Sequence, residues 1–226
     1  MNLERKAVID QLILKTYKMC NITSFPFDCK KVLKAYGYDC KAYSSLNDKK
    51  RKICLGVSDD ACIMNGTIYY NDTMLQGRIP FSLMHELAHI LLEHRIKDEA
   101  EEHEADYMAS NFLAPRIMIH QLCLSNEYKK ITADDIHNYF GISISAANRA
   151  VMDYHEWYAN IAHTTRKPTD TEMEIKELFC IDTTDTKPSV ARKKTRYSKR
   201  YEEYARKSIL LQQYGYEPAF YSIYDE

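Results

Sequence analysis

Residues 79–94 combine an apolar stripe of helical period with two histidines four residues apart. The segment reads IPFSLMHELAHILLEH, and its apolar side chains recur every three and four residues, at Phe81, Met84, Leu87, Ala88, Leu91 and Leu92. This period predicts an α-helix of about sixteen residues beginning at Ile79. Because residues four apart lie on one helical face, His85 and His89 are expected to project side by side.

Two imidazoles at this spacing can bind one zinc ion, whose bonds to histidine nitrogen are ~2.0–2.1 Å long. Glu86 lies one step around the helix, so its carboxylate is expected to reach a water at the metal instead of the metal itself. There it can act as a general base. The alternative is a helix with ordinary histidines. The apolar remainder of the helix weighs against it, because partly buried imidazoles need partners.

A second predicted helix, over residues 98–113, supplies candidates for a third ligand. A catalytic zinc site needs a third protein ligand and leaves one coordination position open. Glu102, thirteen residues after His89, can supply that ligand. Asp106, one turn further on, can hold the second nitrogen of a ligand histidine. Glu104 is the alternative ligand, but only Glu102 has Asp106 at position i+4.

The first half of the chain also predicts two helices and a small antiparallel sheet. The helices are expected over residues 3–19 and 28–37. Short β-branched and aromatic segments predict strands over residues 53–58, 61–65 and 67–71. Asn65-Gly66, between the last two, is a strong signal for a tight hairpin turn.

Residues 131–157 have the pattern of a helix-turn-helix. Thr132 is the expected cap of its first helix, Gly141 the turn, and Ser143 or Ser145 the cap of its second helix. The second helix offers only Asn148 and Arg149 as evident polar readers, and the segment is not basic. A packing role is therefore favoured over DNA contact.

Composition and charge favour a soluble cytoplasmic protein. The 226 residues include 31 basic and 32 acidic side chains, which gives no reason to expect a nucleic acid or an anionic membrane as partner. The N-terminus lacks an apolar signal-peptide core, and no stretch approaches the ~20 apolar residues of a membrane span. Seven cysteines without a C-x-x-C pair indicate reduced thiols.

Three parts are predicted along the chain: a domain with the zinc site (1–125), a helix-turn-helix-like segment (126–160) and a linker with a C-terminal extension (161–226). The extension is rich in Thr, Lys, Asp and Pro, which is typical of a linker. It also contains a basic run, RKKTRYSKR at 192–200, and an apolar aromatic segment at 208–224.

The two motifs FSLMHELAHILLEH and EEHEADYMASNFLAP resemble the ImmA/IrrE family of metallopeptidases. Members carry an HE-x-x-H helix and then an E-x-E-A-(N/D)-x-F-A-x-x-L-L-x-P helix, and this chain has Met108 where Phe is usual. The resemblance implies an α+β, gluzincin-like fold in which a short antiparallel sheet packs on the HExxH helix, followed by helix-turn-helix-like helices. It implies Zn²⁺ on His85, His89 and Glu102, with Glu86 as base.

The resemblance also implies a substrate. Family members commonly cleave or inactivate helix-turn-helix repressors of phages and mobile elements, so such a repressor is the expected partner here. Two alternatives are a non-proteolytic regulatory binding module and a toxin–antitoxin component with a metal site. A second donor to the oxyanion is also expected in the peptidase, with Tyr69, Tyr70 and Tyr107 as open candidates.

Overall fold

A computed structural model describes residues 1–75, 77–96, 98–125, 131–162 and 167–179. The described residues form nine α-helices: α1 (Leu3–Cys20), α2 (Cys29–Ala35), α3 (Asp48–Val57), α4 (Ile79–Leu91), α5 (Glu99–Leu113), α6 (Arg116–Ser125), α7 (Ala133–Phe140), α8 (Ile144–Ala162) and α9 (Asp170–Phe179). They also form strands β1 (Asp39–Ala42), β2 (Ala61–Met64) and β3 (Thr67–Tyr70), with a 3₁₀ helix at Tyr43–Ser45. The fold is α+β, as predicted.

The three strands form a mixed sheet in the order β1-β3-β2. Strands β2 and β3 make the predicted antiparallel hairpin. Asn65 and Gly66 have φ values of 49° and 71°, the positive values that a type I′ turn requires. Strand β1 was not predicted. It pairs with β3 in parallel, so the prediction of a purely antiparallel sheet was incomplete.

The strand predicted over residues 53–58 is wrong, because most of this segment belongs to α3. The Asn47 side chain accepts a hydrogen bond from the Lys50 amide at 2.9 Å and caps the helix. Ile53, Leu55 and Val57 are exposed, so these residues do not alternate into a core as a half-buried strand would.

Helix α4 packs against α5, α2 and the β2–β3 hairpin, which places its histidines at the centre of the fold. Leu83, Met84, Leu87 and Ala88 are buried in the main hydrophobic core. The helix ends at Leu91, three residues before the predicted end. Glu93 has a φ of 57°, a left-handed conformation that turns the chain back toward α4.

Residues 170–179 lie in the predicted linker but form α9. Thr169 and Glu172 make a reciprocal cap: the Thr169 amide donates to the Glu172 carboxylate at 2.9 Å, and the Glu172 amide donates to the Thr169 hydroxyl at 3.2 Å. Phe179 stacks on Phe25 with ring centroids 4.4 Å apart. The linker interpretation was wrong here because the T-x-x-E cap signal was overlooked. The basic run and the apolar segment beyond it lie outside the described residues.

Helices α7 and α8 form the predicted helix–turn–helix pair. Thr132 and Asp135 make a capping box, and Gly141 ends α7 with a φ of 68°. The Ser143 hydroxyl accepts from the Ala146 amide at 3.1 Å, which identifies Ser143 instead of Ser145 as the cap of α8. One buried core includes residues on both sides of the predicted 125/126 boundary, among them Phe112, Ile119, Ile136 and Phe140. No helix within the described ranges is long and apolar enough to cross a bilayer.

Substituting Gly141 by alanine is expected to destabilise the fold by roughly 1–3 kcal/mol, because a left-handed alanine is strained. The added Cβ would also lie 2.8 Å from the Pro26 Cβ. The matched control, Gly56→Ala in α3, meets nothing within 4 Å and is expected to stabilise by about 0.5–1 kcal/mol. Urea unfolding of both variants measures the change in the free energy of unfolding. Equal effects of the two substitutions would contradict the requirement for a left-handed residue at Gly141.

A buried ionic cluster joins α1, α5, α6 and α9. The Arg116 guanidinium lies 3.4 Å from the Asp10 carboxylate and 3.6 Å from that of Glu172. It also donates to the Tyr107 hydroxyl at 2.6 Å. Burial raises the pKa of Asp10 to about 6 against the opposing charge of Arg116, and the Glu172 charge adds to the rise.

Asp10→Asn is expected to flatten the dependence of stability on pH. The pKa of Asp10 is about 6 in the folded chain, against an ordinary aspartate value of 3.8, so the folded chain binds the proton more tightly than the unfolded chain does. Stability of the wild type should therefore fall as pH rises from about 4 to 6, by on the order of 3 kcal/mol. Urea unfolding of metal-free protein across this range tests the expectation.

The exposed Asp39 offers a matched control, since Asp39→Asn should keep the wild-type slope. A wild-type slope in Asp10→Asn would show that another group carries the pH dependence.

Candidate metal centre

Helices α4 and α5 bring His85, His89 and Glu102 together. The Nε2 atoms of the two histidines lie 3.0 Å apart. One Glu102 carboxylate oxygen lies 3.2 Å from His85 Nε2, and the other lies 3.3 Å from His89 Nε2. One ligand atom from each residue can be chosen so that all lie within 4.8 Å of one another.

This arrangement fits a divalent metal ion. Two imidazole nitrogens bound tetrahedrally at ~2.0–2.1 Å would lie about 3.3 Å apart, close to the separation observed between the two Nε2 atoms. Two histidines and one glutamate are a ligand set of catalytic zinc sites. The His89 side chain is 3% exposed and that of Glu102 is 44% exposed, so the centre is buried on the α4 side and open at Glu102.

Asp106 contacts the ring nitrogen of His85 that faces away from His89 and Glu102, and the sequence predicted such a contact for one of the two histidines. Its carboxylate lies 2.9 Å from His85 Nδ1. A proton on Nδ1 donates to this carboxylate and leaves the Nε2 lone pair free for a metal. Burial opposes a charged His85, but the Asp106 hydrogen bond and the charges of Asp106, Glu86 and Glu102 outweigh it and raise the pKa of His85.

Glu86 follows His85 on α4 and is 5% exposed. Its negative charge contributes to the raised pKa of His85. It also contributes to the raised pKa of the Cys62 thiol on β2, which is raised mainly by burial and also by Cys54, while the Tyr43 hydrogen bond lowers it. Glu86 is therefore a buried carboxylate whose charge acts on a candidate metal ligand, which is compatible with a role as general base.

Glu104 occupies a different environment from Glu102. Its carboxylate accepts two hydrogen bonds from the Arg5 guanidinium, at 2.9 and 2.6 Å, and lies 3.2 Å from His94 Nε2. The Arg5 hydrogen bond is the main reason that the pKa of Glu104 is lowered. The geometry favours Glu102 over Glu104 as the third ligand.

Residues 43–152 match the model of the family Peptidase M78, described as the IrrE N-terminal-like domain. Residues 43–152 are therefore an M78 domain. A search of curated protein sequences gave no match. The matched segment contains α4 and α5 with all three candidate ligands, whereas α1, α2, β1 and α9 lie outside it. M78 proteins are metal-dependent peptidases, which agrees with the ligand set assembled here.

His94 lies beside the candidate metal ligands, and the sequence analysis did not predict this position. In the structure its Nδ1 atom lies 2.9 Å from His89 Nδ1, and its side chain is 3% exposed. The contact arises because α4 ends early and the chain turns back at Glu93. A prediction that α4 ends at Leu91 would have indicated this contact between His94 and His89.

The tyrosines considered as second oxyanion donors are held by other partners. Tyr69 bonds to Lys50, and Tyr70 accepts from Lys30 at 2.6 Å. Tyr107 donates to Asp10 at 3.1 Å. None of these three tyrosines is therefore assigned as the second hydrogen-bond donor to the oxyanion.

The other described histidines lie at structural or surface positions. His120 pairs with the Tyr154 hydroxyl at 3.0 Å, and His137 pairs with the Ile142 carbonyl. His103 and His155 are exposed. His163 lies outside the described residues.

Asn148 and Arg149, the two polar residues of α8 noted in the sequence, lie in different environments. The Arg149 guanidinium lies over the Phe81 ring at 5.6 Å from its centroid, and Phe81 lies one turn before His85 with ring centroids 6.1 Å apart. The side-chain oxygen of Asn148 is buried and has no hydrogen-bond partner in the described part of the chain. Arg149 thus borders the metal centre on the α8 side.

Proposed function

We propose that this M78 protein is a zinc-dependent endopeptidase that cleaves a helix-turn-helix transcriptional repressor and so derepresses mobile-element or stress genes. The observation that carries the proposal is the convergence of His85, His89 and Glu102 beside the buried Glu86. A closed structural zinc site would need a fourth protein ligand and would have no use for a general base.

The chain's own residues divide the chemistry among them. His85, His89 and Glu102 would hold the ion, and Asp106 keeps the His85 ring in the required tautomer. Bound Zn²⁺ would supply Lewis acidity and lower the pKa of a coordinated water toward ~7. Glu86 would accept a proton from the attacking water and deliver it to the leaving amine nitrogen.

The choice of substrate rests on the resemblance to ImmA/IrrE proteins. Those proteins commonly act on helix-turn-helix repressors, which are cytoplasmic, and the same location is proposed for this chain. The exposed side of Glu102 offers an approach to the centre, and the border formed by Phe81 and Arg149 offers an apolar and a cationic contact for a polypeptide.

The test is co-expression of the full chain with the repressor-like protein encoded nearest to its gene, followed by intact-mass analysis of that repressor. A single discrete cut, absent when Glu86→Gln replaces the wild type, supports the proposal. An uncut repressor that co-purifies with both forms would replace it with the non-proteolytic binding module. A repressor neither cut nor bound would contradict both of these functions.

A further inference from the structure

His94 contacts the ring nitrogen of His89 that faces away from the proposed metal position. His89 points its Nε2 atom toward His85 and Glu102, and its other ring nitrogen lies 2.9 Å from His94 Nδ1. The usual partner of a ligand histidine is a carboxylate, a backbone carbonyl or water. At His89 a second imidazole takes that place. Two neutral imidazoles can hydrogen-bond only if one nitrogen of the pair carries a proton and the other does not.

This requirement fixes the proton on each nitrogen. A neutral His89 that binds metal through Nε2 carries its proton on Nδ1 and donates it. His94 Nδ1 must then accept, so the His94 proton lies on Nε2. That nitrogen is 3.2 Å from a Glu104 oxygen. An ionised carboxylate has no proton to donate, so the Glu104 oxygen accepts this hydrogen bond.

Arg5 completes the chain of contacts. Its Nε and Nη2 atoms donate to the two Glu104 oxygens at 2.9 and 2.6 Å. This paired geometry holds the carboxylate ionised and fixes its orientation. Every donor in the series from His89 through His94 to Glu104 thus has an acceptor, and Arg5 donates to the same carboxylate from the opposite end.

We propose that His94, Glu104 and Arg5 form a positioning relay that orients His89 for metal binding. The relay residues touch neither the metal nor the substrate and act through His89. Because a ligand imidazole that donates to an anionic chain is more basic and has a fixed ring plane, the relay raises metal affinity.

The relay also gives α1 a function in the metal centre. Arg5 lies on α1, and the segment that matches the M78 family begins at residue 43. The matched segment therefore depends on a side chain outside it for the full affinity of its metal site.

The test measures Zn²⁺ affinity of the full chain by competition with a chromophoric chelator. His94→Ala removes the acceptor and is expected to weaken binding by ~10–100-fold. His94→Asn places an amide oxygen near the position of Nδ1 and should restore most of the loss. Glu104→Gln and Arg5→Gln, at less buried positions, should weaken binding by less than ~10-fold. His103→Ala, an exposed histidine on α5, is the matched control and should bind as the wild type does.

Two further readouts separate a relay from ordinary packing. Co²⁺-loaded His94→Ala should show a shifted visible spectrum, and urea unfolding of the metal-free variants reports stability alone. Affinity within twofold of the wild type in His94→Ala would overturn the relay, as would equal losses in His94→Ala and His94→Asn. If His94→Ala fails to fold, unchanged affinity in both Glu104→Gln and Arg5→Gln would overturn it.

The relay rests on the proposed metal centre, but the same titration separates their failures. A wild-type chain without Zn²⁺ affinity would overturn the proposed function. A wild-type chain that binds Zn²⁺, with variants that bind equally well, would overturn only the relay.

Discussion

Replacing Glu86 by glutamine is expected to reduce repressor cleavage by ~10²–10⁴-fold, the usual contribution of a general acid–base residue. The amide keeps the size of the side chain but cannot accept the proton of the attacking water. Metal content should be unchanged, because the proposed ligands are His85, His89 and Glu102 and none of them is altered. Intact-mass analysis of the repressor over time, with metal analysis of the same sample, measures both quantities.

Glu93→Gln is the matched control for this experiment. Glu93 is exposed just beyond α4, so the same chemical change there should leave cleavage unaffected. Cleavage at the wild-type rate in Glu86→Gln would remove Glu86 from the chemistry. Loss of metal from Glu86→Gln would instead indicate that Glu86 is itself a ligand.

Replacing Glu102 by glutamine is expected to weaken Zn²⁺ binding by more than ~100-fold, beyond the range of changes in residues that only support a ligand. The charge of the third ligand is lost, and the remaining amide oxygen is a poor zinc ligand. Chelator competition measures the affinity directly. Zinc content alone separates the variants less well, since a tightly bound ion can survive a large loss of affinity.

Glu104→Gln provides the comparison two residues along the same helix. It leaves the Glu102 carboxylate in place and should lose less than ~10-fold, through the relay alone. Loss of metal confined to Glu104→Gln would reverse the assignment of the third ligand.

The convergence of the candidate metal ligands was predictable because it depends on helical geometry. His85 and His89 share a face of α4 by their spacing, and Asp106 follows Glu102 by one turn of α5. The sequence therefore predicted a hydrogen bond from Asp106 to one of the two histidines, and in the structure Asp106 lies 2.9 Å from His85 Nδ1. The α+β class and the β2–β3 hairpin followed in the same way from local periodicity and the Asn-Gly turn.

The features that were missed depend on where helices end and on contacts between distant segments. His94 reaches His89 only because α4 stops at Leu91, and helix ends are poorly marked by periodicity. Strand β1 is held by its parallel pairing with β3, a contact across 28 residues in register Asp39 to Thr67. The contact between Arg5 and Glu104 spans 99 residues and has no local signal.

The most direct test of the metal centre is X-ray absorption spectroscopy at the zinc edge of the full chain purified from cells. We expect one zinc per chain with two histidine nitrogens at ~2.0–2.1 Å and oxygen for the remaining ligands. Sulfur at ~2.3 Å would place the ion on cysteines instead, and the absence of zinc would contradict the assignment of this site to zinc.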